Sequence, residues 1–301
     1  MSTNFTAADR IDQIKEVVER PQFAAAMIAC TLRGAGQEIP IDPNRLTVGP
    51  KGIHETTGSR VLSDHVCDLM HPHVAGGDYF HYTGRQGLAG IMQSGVLRLS
   101  QLSKRIGEHE IRGYAQQHDW TGFQGHYAEK LAEDLFYTSV TRTDAPNEAA
   151  MWNSEFADYG QGARLRLRID VDRTRHHAEL RAMRYLDGNQ TLLNQINADL
   201  AAVEFPPFLP WTASKIGAFG LPDGYQGEYE HRLLFKHHPG APVTRGKDGR
   251  WEFLEVPFGK DNVFAAVNLV AVEAGPLADL AEIETIVGAS VLAGTPVRQA
   301  P

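Results

Sequence analysis

Short segments with strand-type composition or with an apolar side chain at every second position dominate the chain beyond residue 75. Their period is that of a β-strand, whose successive side chains point to opposite faces of a sheet. The segments are "YFHYT", "VLRLS", "DLFYTSVT", "ARLRLRIDV", "HRLLFKHH", "WEFLEVPF" and "VNLVAVEAG". Helical stretches fall between some of them but not between all, so the pattern predicts an α+β fold without a regular alternation of strand and helix.

The first 75 residues differ in pattern from the rest of the chain. Apolar residues recur at helical spacing up to Val18, and a second apolar run, "FAAAMIACTL", follows Pro21. Because proline disfavours a helix interior, two helices are predicted here, with loops and one further helix near "SRVLSDHVCDLM" after them. The predicted organisation is a helical and loop extension over 1–75, a core over 76–275 and a C-terminal tail over 276–301.

Composition restricts the class of protein and its partners. The chain has 301 residues, 42% of them apolar and 22% charged, which is a globular mix without a run of about 18 apolar residues. No secretory signal is visible, and the two cysteines, Cys30 and Cys67, are too few for a disulfide framework. A soluble, cytoplasmic protein without a membrane partner is predicted, with signal-independent export left open. The formal net charge of −8 opposes nonspecific attraction to phosphate backbones.

The stretch from Tyr79 to Ser100 combines polar groups with a helix signal. Thr83 and Gln86 have the spacing of a capping box, and Gly95 is a left-handed helix end. Apolar residues with helical spacing lie between them: Leu88, Ile91 and Met92. The pattern predicts a helix flanked by two strands, with His81 at the corner between the first strand and the helix.

Three blocks of the sequence resemble a bacterial family of uncharacterised function, the DUF2971 family. They are "FHYTGRQGLAGIMQSGVLRLS", "LFYTSVTRTDAPNEAAMWNSEFADYGQGARLRLRIDV" and "YQGEYEHRLLF". Their order is a histidine strand, then a strand with aromatic and hydroxyl side chains, then a glutamate strand. That order is also similar to the ADP-ribosyltransferase superfamily, and the resemblance implies a split antiparallel sheet that holds NAD.

The resemblance also implies roles for individual residues. His81 would bind the ribose, Tyr137, Thr138 and Ser139 would hold the nicotinamide, and Glu230 would direct the reaction. Cleavage of the nicotinamide–ribose bond leaves an oxocarbenium-like sugar, which a fixed carboxylate stabilises by charge complementarity.

Further residues complete the predicted site. On a strand, Glu228 and Glu230 would project to one face, and the resemblance to arginine-modifying transferases implies that Glu228 activates the acceptor. Tyr82 and Thr83 adjoin His81 and belong to the predicted NAD contacts, although Tyr82 stands where transferases of the poly(ADP-ribose) type have glycine. Two more NAD contacts are predicted, Trp152 by stacking on a base and Arg166 by binding a phosphate.

Each of these patterns also has a purely structural interpretation. Glu228, Glu230 and Arg232 could form a surface ion-pair row, and Trp152 could be core. The strand on which Arg164, Arg166 and Arg168 alternate could be a solvated edge. A metal site is not predicted, because the spacing of the nearby histidines and cysteine fits no standard zinc site. Those residues are His65, Cys67, His71 and His73.

The resulting functional prediction is an NAD-dependent enzyme. It would transfer ADP-ribose to a protein or nucleic-acid acceptor and release nicotinamide, as a toxin, effector or defence component with an antitoxin or immunity protein as partner. The first alternative is an NAD glycohydrolase that uses the same site. The second is a noncatalytic module that binds a nucleotide or a partner.

Overall fold

The computed structural model describes most of the chain. The described residues are 7–102, 123–172, 177–186, 191–222, 227–238, 243–249, 251–259 and 265–301. Residues 223–226, within the Gly-rich stretch "LPDGYQGE" before Glu230, lie outside them.

The helices, numbered along the chain, range from one long N-terminal helix to single turns. They are α1 (Ala7–Gly34), α2 (Val61–Met70), α3 (Arg85–Ser94), α4 (Phe123–Ala132), α5 (Glu148–Trp152), α6 (Leu192–Ala201), α7 (Ala213–Ala218) and α8 (Leu280–Gly288). Short 3₁₀ helices span Pro43–Arg45 and Glu155–Gly160.

The strands include all seven that the sequence pattern predicts. They are β1 (Leu46–Val48), β2 (Ile53–Glu55), β3 (Gly77–Thr83), β4 (Val96–Gln101), β5 (Leu135–Arg142), β6 (Ala163–Val171), β7 (Ala178–Ala182), β8 (Arg184–Leu186), β9 (Gly220–Pro222), β10 (Glu230–Lys236), β11 (Thr244–Asp248), β12 (Trp251–Pro257), β13 (Ala265–Ala274) and β14 (Val297–Gln299). The mixed α+β class is therefore confirmed.

Two local predictions are wrong. Residues 7–34 form one helix that contains Pro21, not two helices. Proline removes one helical hydrogen bond, and burial of Ala24, Ile28 and Leu32 on one face of α1 offsets that loss. The capping box also fails, because Gly84 is the N-cap of α3 and makes no side-chain cap hydrogen bond. The end of α3 is as predicted, since Gly95 has φ 68° and its amide donates to the Ile91 carbonyl.

Within the described residues, ten strands join in one sheet, and all its pairs are antiparallel except β13 with β14. The sheet forks at β5. One edge of β5 pairs with β10 along its length, from Leu135 to Thr141. The other edge pairs with β4 at Phe136 and Tyr137 and with β3 at Thr141 and Arg142. Between those two contacts, β3 and β4 diverge beside Thr138, Ser139 and Val140.

The two faces of this sheet differ in polarity. One face carries the main apolar core, which includes Tyr79, Phe136, Leu165, Leu233 and Phe235. Directly paired residues share a face, and successive residues of a strand alternate between faces. The opposite face therefore carries Tyr137, Ser139 and Thr141 from β5, with Glu230 and Arg232 from β10. The site described below lies on this second, polar face.

Contacts divide the chain into two compact units, each made of separated segments. Unit 1 comprises residues 1–70, 115–131 and 188–216, and unit 2 comprises residues 71–114, 132–187 and 217–301. Unit 2 holds the large sheet. In unit 1, Thr31 of α1 donates to Asp199 of α6 at 2.6 Å, and the Glu55 carboxylate accepts from the Leu62 and Ser63 amides at the start of α2.

The C-terminal residues belong to unit 2 and are part of its structure. β14 pairs in parallel with β13, and Ala300 is 6% exposed. Among the described helices, none combines the length and apolarity needed to cross a bilayer.

Candidate functional site

The centre of the polar face is a hydrogen bond between β5 and β10. The Ser139 hydroxyl donates to Glu230 Oε1 at 2.5 Å. Arg232, the residue directly opposite Ser139, donates from Nε to the same oxygen at 2.8 Å. Within the described part of the chain, both hydrogen bonds to the carboxylate therefore end on Oε1. Glu230 is 6% exposed, so burial and two partners fix its carboxylate.

Arg232 is a buried cation with several partners. Its Nη1 donates to the Ala218 carbonyl at 2.7 Å, and its guanidinium carbon lies 4.3 Å from the ring centre of Tyr137. The pair Glu230–Arg232 is thus buried, not a surface row, and the surface interpretation of these residues is wrong. A buried ion pair of this geometry keeps the site locally neutral.

His81 reaches the fork from β3. Its Nδ1 lies 2.9 Å from the Ser139 carbonyl oxygen and 3.5 Å from the Thr138 hydroxyl. A carbonyl oxygen only accepts, so Nδ1 carries the proton of this bond. Ser139 therefore joins two predicted site residues, since its carbonyl contacts His81 and its hydroxyl contacts Glu230.

Strand alternation divides the predicted NAD contacts between the two faces. His81 pairs with Leu165 and Thr83 pairs with Ala163, both on the core face, where Thr138 also lies. Tyr137 and Ser139 lie on the polar face. The prediction that Thr138 and His81 act beside Ser139 in one pocket is therefore wrong, because their side chains lie on the core face. Thr83 is 9% exposed at the end of β3.

Glu228 is not on a strand with Glu230, which corrects the prediction that both project to one face. β10 begins at Glu230, and Tyr229 before it has the left-handed φ of 50°. Glu228 lies in a 3₁₀ turn just before the strand and is half-buried. Its backbone carbonyl accepts a hydrogen bond from Asn147 Nδ2.

Tyr82 and Trp152 belong to a second buried cluster. Their ring centres are 5.0 Å apart in an edge-to-face contact, and the Tyr82 hydroxyl accepts from Arg164 at 3.0 Å. Burial raises the pKa of Tyr82, and the hydrogen bond from Arg164 partly opposes that rise. Both rings are packed, with 7% and 4% exposure, so the core interpretation of Trp152 describes its position and stacking on a base is not open to it. Among the described residues, no group accepts from the buried Trp152 Nε1.

Arg166 is paired with an acid on the same face. Its Nε and Nη2 both donate to Asp78 Oδ2, at 3.1 and 2.6 Å. Arg166 pairs with Phe80 on β3, and Phe80 pairs with Thr141 on β5. Thr141 pairs with Glu230 on β10, so these four residues form one row across the sheet. The row places Arg166 on the face of the site, but Asp78 already neutralises the guanidinium that was predicted to bind phosphate.

Two residues at the site carry no sequence signal that points to it. The Tyr185 hydroxyl accepts from the Glu230 amide at 3.1 Å, and burial raises the pKa of Tyr185 to about 12. Asn147 is 7% exposed and occupies the N-cap position of α5, without a side-chain cap hydrogen bond. "PNEAA" has the pattern of a helix start, which explains the N-cap, but only the fold directs the amide group to Glu228.

Among the described residues, no group of three or more His, Cys, Asp or Glu side chains is arranged to hold an ion. His73 Nε2 lies 2.9 Å from Arg181 Nη2, and Arg181 also donates to Glu179 at 2.7 Å and to the His71 carbonyl. The histidine and cysteine segment therefore contributes in part to a second buried ion pair on the polar face.

Comparisons of the chain with protein-family models, curated proteins and solved structures returned no match. The site is therefore interpreted from its own geometry.

Proposed function

We propose that this protein is an ADP-ribosyltransferase of the DUF2971-like group. Its forked sheet would be the split antiparallel sheet of that superfamily, with NAD as substrate. One observation carries the proposal: Ser139 donates from its hydroxyl to the buried Glu230 carboxylate on the polar face, and its carbonyl contacts His81, whose side chain lies on the core face. These three residues were predicted from three separate blocks of sequence.

The proposed chemistry uses the buried carboxylate. As the bond between nicotinamide and ribose breaks, positive charge develops on the sugar, and a preorganised carboxylate stabilises it. Ser139 and Arg232 hold one oxygen of Glu230, which leaves Oε2 to face the sugar or a ribose hydroxyl. Tyr137 would border the nicotinamide, whereas His81, predicted to orient the ribose, would act from the other face of the sheet through its hydrogen bond to the Ser139 carbonyl.

Glu228 would act on the acceptor, from the turn that precedes β10. Its position is half-buried and two residues before Glu230. The acceptor is a protein or nucleic-acid group. The proposal includes a cytoplasmic toxin, effector or defence component with an antitoxin or immunity protein as partner.

Nicotinamide release from NAD tests this function. The wild-type protein should release nicotinamide and label a macromolecule with ADP-ribose. Glu230→Gln should lower the rate roughly 100-fold or more, as expected for the loss of a preorganised charge. Glu255→Gln is the matched control, because Glu255 lies on β12 of the same sheet and pairs with exposed Arg98 at 3.2 Å. Thermal unfolding of each variant checks that it is folded.

A noncatalytic binding module is the second candidate, and one observation favours it. Glu230 and Arg232 form a buried ion pair, an arrangement that many proteins use only to support structure. This candidate expects NAD or a related nucleotide to raise the Tm without any product, as a ligand of the native state does. Free ADP-ribose without a labelled macromolecule would instead identify the glycohydrolase.

The transferase proposal fails if folded wild-type protein releases no more nicotinamide than Glu230→Gln across a panel of acceptors. Growth arrest on expression, relieved by Glu230→Ala, would support the toxin role. Normal growth and normal NAD levels at full expression would contradict that role.

A further inference from the structure

The turn that leads into Glu230 has a backbone conformation that side chains rarely adopt. Tyr229 has φ 50°, in the left-handed region, and its side chain is 49% exposed. A residue other than glycine in this region costs on the order of 1 kcal/mol, and such conformations persist only where surrounding contacts impose them. Contacts on both sides of Tyr229 must therefore hold the turn.

The contact before Tyr229 comes from Asn147. Its side-chain amide donates to the Glu228 carbonyl, although Asn147 occupies the N-cap position of α5. An N-cap asparagine usually accepts from an amide of its own helix. Here that stabilisation is absent, and the side chain is used to bind a turn that is 81 residues away in the sequence.

The contact after Tyr229 comes from Tyr185. Its hydroxyl oxygen accepts from the Glu230 amide at 3.1 Å, and the Glu230 carbonyl accepts from the Met183 amide at 2.9 Å. The backbone groups on both sides of Tyr229 are thus bound by side chains from distant parts of unit 2. Because the pKa of Tyr185 is raised to about 12, its phenol stays protonated at neutral pH.

We propose that Asn147 and Tyr185 are positioning residues that hold the turn 228–230 in its strained conformation and so aim the Glu230 carboxylate. This inference rests on the proposed function for its catalytic consequence. Its structural part does not depend on that function, because amide exchange shows whether the two hydrogen bonds hold the turn even if the protein has no activity. Misplacement of a reacting group by about 1 Å can cost roughly 100-fold in rate.

Two variants and two matched controls test the proposal. Tyr185→Phe and Asn147→Ala each remove one side-chain contact to the turn. Tyr79→Phe is the control for the first, since its hydroxyl donates to the Ala75 carbonyl at 3.0 Å. Asn197→Ala is the control for the second, since its side chain accepts from the Phe208 amide at 2.8 Å in unit 1.

We expect kcat for nicotinamide release to fall roughly 10- to 100-fold in both turn variants, with the KM for NAD changed less than about threefold. The ratio of variant to wild-type rate should be the same at every pH between about 6 and 10, because a protonated phenol does not titrate there. Amide exchange of a peptide that contains Tyr229 and Glu230 should become faster. Both controls should keep the wild-type kcat and the wild-type exchange of that peptide.

The outcomes separate this proposal from the proposed function. If the wild type does not cleave NAD but both turn variants exchange faster, the function fails and the holding of the turn stands. If exchange of the turn is unchanged in both variants, the positioning proposal is overturned. A wild-type kcat in both variants of an active enzyme would also overturn it.

Discussion

Two buried glutamates on the same face of the sheet, Glu230 and Glu273, are held in different ways. Arg164 donates to Glu273 Oε2 at 2.7 Å, and Arg298 donates to Oε1, so both oxygens are bound by guanidinium groups. Among the described residues, Glu230 receives two hydrogen bonds, from Ser139 and Arg232, and both end on Oε1. Both oxygens of Glu273 are therefore bound, whereas within the described part of the chain only one oxygen of Glu230 is.

The surroundings of the two carboxylates also differ, since Glu273 lies among regularly packed residues and Glu230 follows a strained turn. Arg164, the main partner of Glu273, packs over the Phe80 ring at 3.7 Å and over Trp152 at 5.2 Å. That cluster consists of regular strand residues and packed rings. Glu230 instead follows the left-handed residue Tyr229. Buried charges with every group paired support structure, whereas an incompletely bound carboxylate beside a strained turn indicates a site.

The largest expected effect is at the cluster around Glu273. Arg164→Ala should lower the free energy of unfolding by about 3–5 kcal/mol, because it leaves Glu273 short of a partner in a buried place. Arg168→Ala is the control on the same strand, since its side chain is 60% exposed and lies 3.5 Å from Asp78. It should cost less than about 1 kcal/mol. Equal losses of unfolding free energy for Arg164→Ala and Arg168→Ala in urea denaturation would contradict a structural role for the Arg164–Glu273 pair.

At the incompletely bound carboxylate, the expected effect is on activity more than on stability. Ser139→Ala should lower nicotinamide release roughly 10-fold or more, because Glu230 loses the donor that orients Oε1. Its stability should fall by only about 1 kcal/mol, the usual worth of one hydrogen bond. Ser94→Ala, which removes a hydroxyl bonded to the Gly90 carbonyl in α3, is the control. Full activity in Ser139→Ala would show that Glu230 does not need this contact.

The pH dependence of stability tests whether the arginine-bound carboxylate of Glu273 stabilises the fold. Burial raises its pKa, but hydrogen bonds from Arg298 and Arg164 outweigh burial and leave the pKa below its ordinary value. Its contribution is therefore full above the unfolded-state pKa of about 4.3 and is lost as pH falls through the lower folded-state value. The Tm difference between wild type and Glu273→Gln should shrink as pH is lowered from 6 towards 3. A constant difference over that range would contradict the assignment.

The smallest expected effect is at Tyr127, away from the site, where a buried hydroxyl should lower stability. Within the described residues, the buried Tyr127 hydroxyl in unit 1 has no hydrogen-bond partner. Tyr127→Phe should therefore raise the free energy of unfolding by up to about 1 kcal/mol. Tyr79→Phe, which loses a made hydrogen bond, should lower it by a similar amount of about 1 kcal/mol. A decrease in Tyr127→Phe would indicate that this hydroxyl is satisfied in solution.

The strands were predictable because their signal is local. Apolar alternation in β6 and the β-branched and aromatic residues of β5 reflect the two faces of a sheet, so the pattern appears in the sequence itself. β7 and β14 were not predicted. They are short, and their positions depend on pairing with β10 and β13. The single helix through Pro21 was also missed, because its stability comes from packing that overrides a local penalty.

Part of the candidate site was predictable and part was not. His81, Ser139 and Glu230 were identified from three blocks, and Ser139 contacts both of the others, but the side chains of His81 and Glu230 lie on opposite faces of the sheet. Tyr82 and Trp152 were assigned to NAD, but they pack with Arg164 in the second cluster. An aromatic residue has the same local pattern in a core and in a binding site, so the sequence does not distinguish these roles.

By itself, the sequence determined the α+β class, the seven predicted strands and the left-handed end of α3 at Gly95, since each depends on neighbouring residues. The tertiary structure decided on which face of the sheet each side chain lies and where the sheet forks. It also decided that Asn147 and Tyr185 contact the turn before Glu230. Those features depend on strand register between segments far apart in the chain. Register is set by burial of one whole face, a property of the folded sheet and not of any single segment.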